Sequence, residues 1–126
     1  MIYGIGVDMV EVKRIEDGIE RFGSRLAKKI LTEKELQYYD HNIKPVKYLA
    51  KRFAAKEALV KALGTGFRGQ ISLRDICVTN DDLGKPELEY SESLQQKLKE
   101  YDIIRTHLSI TDENEYALAY VILESA

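Results

Sequence analysis

The 126-residue chain has one cysteine, two prolines and no tryptophan. Its single cysteine, Cys77, cannot form a disulfide within the chain. No apolar run approaches the roughly 20 residues needed to cross a bilayer, because charged residues interrupt each one. Residues 1–10 lack the basic flank and long apolar stretch of an export signal. We therefore expect a cytoplasmic protein without a membrane-spanning segment.

The chain also lacks an excess of either charge, since 19 Lys and Arg oppose 21 Asp and Glu for a net charge of -2. A general nucleic-acid-binding domain usually carries a large positive excess, so we expect no nucleic-acid partner. Hydrophobic residues make up 44% of the sequence, which is enough for a core without metal or disulfide support. Residues 1–126 are thus expected to form one domain.

The spacing of apolar residues predicts a mixture of strands and helices. An apolar strand with two glycines spans residues 2–10, and a helical period follows from Glu11 with a break at Gly23. The longest helix begins near Pro45 and ends near Leu63. Shorter β-type segments lie at residues 76–79, 87–90, 106–110 and 116–123. This pattern favours an α+β fold, an antiparallel sheet with helices packed on one side.

Two carboxylates occupy unusual positions in these elements. Pleating puts Gly4, Gly6 and Asp8 on one side of the first strand. Such a bare backbone suits close approach by another element or a ligand. At about 100° per residue, Glu57 falls near the centre of the apolar face of the longest helix. Because an unpaired buried carboxylate is costly, Glu57 requires a partner.

Two explanations of Glu57 remain open on spacing alone. The first is an ion pair with Lys61, one turn later, on a partly exposed helix. The second joins Glu57 to Asp8 as two hard oxygen ligands. With no histidine or cysteine cluster nearby, such a pair suits magnesium completed by water and substrate phosphates.

Several segments, taken in order, carry a family resemblance. They are Gly6-Val7-Asp8 followed by Arg14, FAAKEALVKALG at residues 53–64, Gly84-Lys85-Pro86, His107-Leu108-Ser109-Ile110, and Ala117-Leu118-Ala119-Tyr120-Val121. Over essentially the whole chain, this set resembles the holo-acyl-carrier-protein synthases, the short phosphopantetheinyl transferases. One position departs from the family, because many members carry a histidine where this chain has Asp112. Any role of that histidine does not transfer.

The resemblance implies an activity and an assembly. Such enzymes move the 4'-phosphopantetheine group of coenzyme A onto a serine of apo acyl carrier protein, releasing adenosine 3',5'-bisphosphate, in support of fatty acid biosynthesis. Asp8 and Glu57 would bind Mg2+ and, with Lys61, form the catalytic set. Either a metal-bound water or Glu57 would deprotonate the carrier serine. The resemblance further implies a homotrimer with active sites between neighbouring subunits.

Coenzyme A contacts are also implied by the resemblance. They fall on Lys61, Gly64, Thr65, Gly66 and His107. Gly64 is at the same time an ordinary helix stop, and the alternative for His107 is a histidine hydrogen-bonded between strands. Arg52 and Lys56 are predicted to lie on the helix surface, where they either reach other phosphates or stay solvated.

A basic stripe follows the first strand. Its members, at steps of 7, 4 and 3 residues, are Arg14, Arg21, Arg25 and Lys28. They would share one face if the helix continued past Gly23. Acyl carrier proteins are acidic helical bundles, so we expect Arg14, Arg21 and Arg25 to bind the carrier. The alternative is a solvated face without a partner.

Two other functions fit parts of the pattern. A magnesium nuclease would use Asp8, Glu57 and Lys61 on a phosphodiester, although the modest net charge opposes this. A non-catalytic module that binds an acyl carrier or a nucleotide would use the basic face and leave the carboxylates structural.

Overall fold

A computed structural model describes residues 1–64 and 71–126 of the chain. The described helices are α1 (Val12–Phe22), α2 (Ser24–Ile30), α3 (Glu33–Asp40), α4 (Pro45–Leu63) and α5 (Glu92–Glu100). The described strands are β1 (Ile2–Glu11), β2 (Ile76–Asn80), β3 (Pro86–Tyr90), β4 (Ile103–Asp112) and β5 (Tyr116–Ser125). A short 3-10 turn, Leu73–Asp75, precedes β2.

The strands form two antiparallel sheets. The larger has the order β1-β5-β4, and β2 and β3 form a separate two-stranded sheet. Within the larger sheet, Asp8 of β1 lies opposite Ala119, and Val121 of β5 lies opposite Leu108 of β4. Helix α4 packs on β1 and β5. The structure thus confirms the predicted α+β fold with helices on one side of an antiparallel sheet.

The two faces of the larger sheet differ in exposure. Ala117, Ala119, Val121 and Leu123 of β5 face α4 and are buried in the core. The alternating residues of β1 point the other way, where Tyr3, Ile5, Val7 and Met9 are exposed. The sheet therefore leaves an apolar face uncovered in the single chain.

Two glycines of β1 allow α4 to lie directly on the strand. A Cβ atom added at Gly4 would overlap the carbonyl oxygen of Ala62, and one added at Gly6 would overlap that of Ala58. The Cβ atom added at Gly6 would also be only 2.7 Å from the backbone nitrogen of Ala62. The two backbones are therefore in contact, as the bare strand predicted.

Helix ends follow the capping residues in the sequence. Thr32 and Glu35 form a complete capping box at the start of α3, and Pro45 is the first residue of α4. Gly64 ends α4 in the left-handed region with φ 78°. Gly23, with φ 61°, separates α1 from α2, so Arg25 lies on a different helix from Arg14 and Arg21. Within the described part of the chain, no helix has the length and apolarity needed to cross a membrane.

The predicted surface positions of Arg52 and Lys56 are wrong, because both side chains are buried. Lys56 Nζ donates to Glu35 Oε1 at 2.6 Å and to the carbonyl oxygen of Ile30 at 2.7 Å. Arg52 Nη2 donates to Asn80 Oδ1 at 3.0 Å. These contacts turn one side of α4 toward α3 and β2 rather than toward solvent.

The contact at Gly6 provides a test of this packing. We expect Gly6→Ala to reduce the free energy of unfolding by about 3 kcal/mol, because the new methyl group displaces α4 from β1. Urea unfolding followed by circular dichroism measures the change. In the control Gly18→Ala, the new Cβ meets only the flexible end of Leu26, 2.8 Å away, and a helical alanine offsets that crowding. Equal stability of Gly6→Ala and the parent chain would contradict the packing.

Candidate active site

The close approach of α4 to β1 brings three predicted residues together. Asp8 continues the same side of β1 as Gly4 and Gly6, and its side chain is 15% exposed. Lys61 reaches across from α4, with its Nζ 3.0 Å from Asp8 Oδ1 and 3.2 Å from the carbonyl oxygen of Val7. Lys61 thus pairs with the strand rather than forming the Glu57–Lys61 ion pair that spacing alone left open.

Glu57 lies one helical turn before Lys61 and is half-buried. Burial raises the pKa of the Glu57 carboxyl above its ordinary value, and the nearby Asp8 carboxylate raises it further. The positive charges of Lys61 and Arg14 act in the opposite direction on this pKa. Two carboxylates and two cations from β1, α1 and α4 therefore share one site.

The donor set at this site fits a hard divalent cation. Asp8 and Glu57 repel each other across a partly desolvated gap, and a cation between them would offset that repulsion. Residues 1–64 and 71–126 contain no group of three or more His, Cys, Asp or Glu side chains placed to hold a metal ion. These two carboxylates would therefore need other oxygen donors, such as water or a phosphate, to complete a metal's coordination.

A groove next to the site combines basic and apolar residues. Arg14 and Arg21 of α1 line it together with Phe22, Lys29 and Phe53. Phe22, Phe53 and Lys29 are not part of the predicted basic stripe, and the fold brings them beside it. Arg25 is exposed on α2 and does not line this groove. The break at Gly23 therefore divides the predicted basic stripe.

His107 lies away from the carboxylates. It projects from the uncovered face of the sheet, where its Nε2 is 2.8 Å from Glu124 Oε1 on the neighbouring strand. This is the interstrand hydrogen bond considered as the alternative for His107. The same histidine lines a groove with Lys85 and Pro86, the residues of the Gly-Lys-Pro segment. In a single chain, the sheet separates His107 from Asp8.

The remaining predicted positions lie near the end of α4 and at the end of β4. Gly64 caps α4 three residues after Lys61, whereas Thr65 and Gly66 lie outside the described residues. Asp112, which replaces the histidine of many family members, is 3.9 Å from Lys47 Nζ. Opposite charge from α4 thus balances this carboxylate at the end of β4.

Comparisons with known proteins show which family this chain resembles. The family model described as 4'-phosphopantetheinyl transferase superfamily matches residues 4–121. The holo-[acyl-carrier-protein] synthase of Dechloromonas aromatica (strain RCB) is 53% identical over 126 residues, covering 100% of both chains.

Solved structures of two similar proteins share the fold. The crystal structure of holo-[acyl-carrier-protein] synthase from Neisseria meningitidis has a TM-score of 0.96 and 50% identity, covering 99% of this chain and 100% of that one. The enzyme from Bacillus anthracis, in complex with coenzyme A (3',5'-ADP), has a TM-score of 0.82 and 41% identity, covering 100% and 99%. The family resemblance found in the sequence is confirmed: the chain belongs to the 4'-phosphopantetheinyl transferase superfamily.

Proposed function

We propose that this chain is a holo-[acyl-carrier-protein] synthase. It transfers the 4'-phosphopantetheine group of coenzyme A to a serine of apo acyl carrier protein and releases adenosine 3',5'-bisphosphate. The observation that carries the proposal is the convergence of Asp8, Glu57 and Lys61 at the contact between β1 and α4. Family membership supports the same reaction.

Asp8 and Glu57 would hold a magnesium ion in this function. When bound, the ion supplies positive charge to the diphosphate of coenzyme A, where negative charge grows as the leaving group departs. Lys61 provides a second positive charge beside the same carboxylates, and its side chain is 55% exposed. An exposed lysine on a fixed helix can turn toward a phosphate oxygen without any movement of the backbone.

The reaction itself exchanges a phosphoanhydride bond of coenzyme A for a phosphodiester bond to the carrier serine. The carrier serine oxygen forms a bond to the phosphorus that carries pantetheine, and the bond from that phosphorus to the bridging oxygen breaks. The electron pair stays with the departing adenosine 3',5'-bisphosphate, and the serine proton passes to a base. Lys61 and Arg14 place positive charge around the reacting phosphates, which stabilises this redistribution of charge.

The carrier docks on the groove beside α1 in this proposal. Arg14 and Arg21 supply positive charge, and Phe22 and Phe53 supply an apolar floor. An acidic helical carrier is attracted and oriented by such a surface. Arg14 lines the groove and also lowers the pKa of Glu57, so this arginine connects the groove with the reacting centre. Arg25, one helix further on, would contribute longer-range attraction.

The proposed assembly is a homotrimer formed through the uncovered sheet face. Tyr3, Ile5, Val7 and Met9 make a contiguous apolar surface on β1, and monomeric proteins rarely leave such a surface in water. A neighbouring subunit seated there would also receive His107, which projects from the same face. Coenzyme A would then lie between Lys61 and Gly64 of one subunit and His107 of the next, with Thr65 and Gly66 beside it.

The cellular role follows from the proposed reaction. Holo carrier protein is the form that carries acyl groups, so the chain would act in fatty acid biosynthesis in the cytoplasm. Residues 1–126 would perform this as one domain, which agrees with the single hydrophobic cluster that α4 shares with both sheets.

Mass spectrometry of the carrier tests the proposal directly. Incubation of the chain with apo acyl carrier protein, coenzyme A and Mg2+ is expected to add the mass of one phosphopantetheine group to the carrier. Omission of Mg2+ in the presence of a chelator should abolish the increment. An unmodified carrier in the complete mixture would refute the transferase and favour a non-catalytic module.

Replacing either carboxylate should abolish transfer while leaving the fold intact. We expect Asp8→Asn and Glu57→Gln to lower kcat at least about 100-fold, since each removes charge from the reacting centre.

The Glu57 substitution has a second consequence. Because the pKa of Glu57 is raised in the folded chain, ionisation of this group destabilises the fold once the pH exceeds its ordinary pKa of 4.5.

Thermal unfolding without metal checks the sign of this effect. Glu57→Gln should have a higher Tm than the parent chain at neutral pH, and the difference should disappear as the pH falls below 4.5. A lower Tm at neutral pH, or undiminished transfer, would contradict the assignment of Glu57.

Charge reversal on α1 tests the carrier surface. We expect Arg21→Glu to raise the carrier KM about tenfold at low salt, with a smaller increase at high salt because exposed charges are screened. The matched control is Lys13→Glu, which makes the same charge change on α1 but outside the groove, beside Asp17. An equal rise in KM for both variants would exclude a specific docking role for Arg21.

Analytical ultracentrifugation tests the assembly. The parent chain should sediment as three copies, and Ile5→Glu should sediment as one copy, because it places a charge in the apolar sheet face. Ile43→Glu is the control, since Ile43 is 95% exposed in the segment before α4 and is not part of the apolar face of β1. A parent chain that is monomeric at working concentration would overturn the trimer.

A further inference from the structure

Helix α4 presents different sides to its neighbours, and the candidate catalytic residues of this helix lie on a side separate from the two that pack on β1 and on α3 and β2. Ala58 and Ala62 lie against the glycines of β1. Lys56 and Arg52, one turn apart, are bonded toward α3 and β2. At about 100° per residue, Glu57 falls on a third side of the helix, about 120° from each of these two. The rotation of α4 about its own axis therefore decides where the Glu57 carboxylate points.

The contact with β1 does not fix that rotation by itself. Gly4 and Gly6 have no side chains, so the helix meets a smooth stretch of strand backbone. Such a contact sets how closely the helix approaches the strand. At Gly4 and Gly6 it provides no side chain that fits between the residues of α4 and resists turning, as side chains do in ordinary helix packing. Asp8 on the same side accepts a hydrogen bond from the long side chain of Lys61, which is 55% exposed and does not hold the helix in one orientation.

On another side of α4, Lys56 forms a buried ion pair with Glu35 of α3. Lys56 and Glu35 are 0% and 1% exposed, with 2.6 Å between Nζ and Oε1. Glu35 also accepts from the backbone nitrogens of Thr32 and Val78, each at 2.9 Å. Lys56 further donates to the carbonyl oxygen of Ile30. The pair thus connects α4 with α2, α3 and β2 at one point.

Stability alone is a poor reason for such a pair. A fully buried ion pair contributes little compared with apolar residues of similar volume, because both charges must be removed from water. Its contribution is geometric, since two directed hydrogen bonds from one ammonium group hold a helix in one orientation.

We propose that Lys56 and Glu35 are positioning residues that fix the rotation of α4 and thereby hold Glu57 toward Asp8. The inference rests on the proposed function. With side-chain ends about 6 Å from a helix axis, a turn of about 20° would move the Glu57 carboxylate about 2 Å. A displacement of this size is enough to reduce a reaction rate strongly. The two arginines of α1 that line the carrier groove would be unaffected, whereas Phe53 of α4 would turn with the helix.

The test compares two double variants that make the same chemical changes. Lys56→Met with Glu35→Gln removes both buried charges and retains one acceptor oxygen, which serves one of the two backbone nitrogens that donate to Glu35. The control, Lys34→Met with Glu89→Gln, removes an exposed ion pair of 3.3 Å between α3 and β3. Circular dichroism establishes that each variant is folded at the assay temperature. Electron paramagnetic resonance of free Mn2+, with adenosine 3',5'-bisphosphate present, measures metal affinity independently of turnover.

The expected result for the buried double variant is a folded protein with kcat at least about tenfold lower, Mn2+ affinity weaker by a similar factor, and a carrier KM that changes less than kcat. The control should match the parent chain. Parental kcat and Mn2+ affinity in the folded buried variant would overturn the inference. Should that variant not fold, Glu35→Gln alone is expected to weaken Mn2+ binding at least threefold, and unchanged binding would again overturn it.

The parent chain separates this outcome from failure of the proposed function. If the parent chain and the buried variant modify the carrier and bind Mn2+ equally well, only the positioning role is refuted. A parent chain that neither modifies the carrier nor binds Mn2+ refutes the proposed function, and the positioning role with it.

Discussion

The backbone contact between β1 and α4 is the constraint on which the rest of the structure depends. Since a Cβ at Gly6 would overlap the Ala58 carbonyl oxygen, only a glycine lets the helix rest on the strand at this distance. Asp8 follows two residues later on the same side. The contact therefore places one carboxylate at the level of Glu57 and Lys61, without any loop to position it. Functional groups held on rigid elements keep their geometry better than groups on loops.

The same contact concentrates charge. Burial and Asp8 raise the pKa of Glu57, while Lys61 and Arg14 partly offset that effect. The carboxylates lie on the strand and the helix and cannot move apart, whereas the Lys61 side chain is 55% exposed. A site with fixed negative charge and a displaceable ammonium group can exchange one cation for another without rearranging the fold. This property suits binding of a metal together with a diphosphate.

Residues close together in the sequence predicted the helices and strands well, but they did not predict all of the contacts between residues far apart in the sequence. The capping box at Thr32, the helix stop at Gly64 and the bare side of β1 each follow from residues close in sequence. Lys56 and Arg52 were assigned to the surface, although their partners Glu35 and Asn80 lie 21 and 28 residues away. Helix α4 is buried on several sides. A prediction that divides a helix into one apolar face and one solvent-exposed face therefore fails for α4.

The placement of His107 shows a second limit of such reasoning. A period of two residues separates the faces of β4, but it does not say which face α4 covers. The pairing of β5, with β4 on one edge and β1 on the other, determines which face of β4 lies toward α4. Once the pairing is known, Asp8 faces the helix and His107 faces away. If both residues touch one coenzyme molecule, a single chain cannot supply them, because the sheet lies between. On the proposed function, the uncovered apolar face and the separated histidine therefore have the same explanation: the binding site is completed where two chains meet.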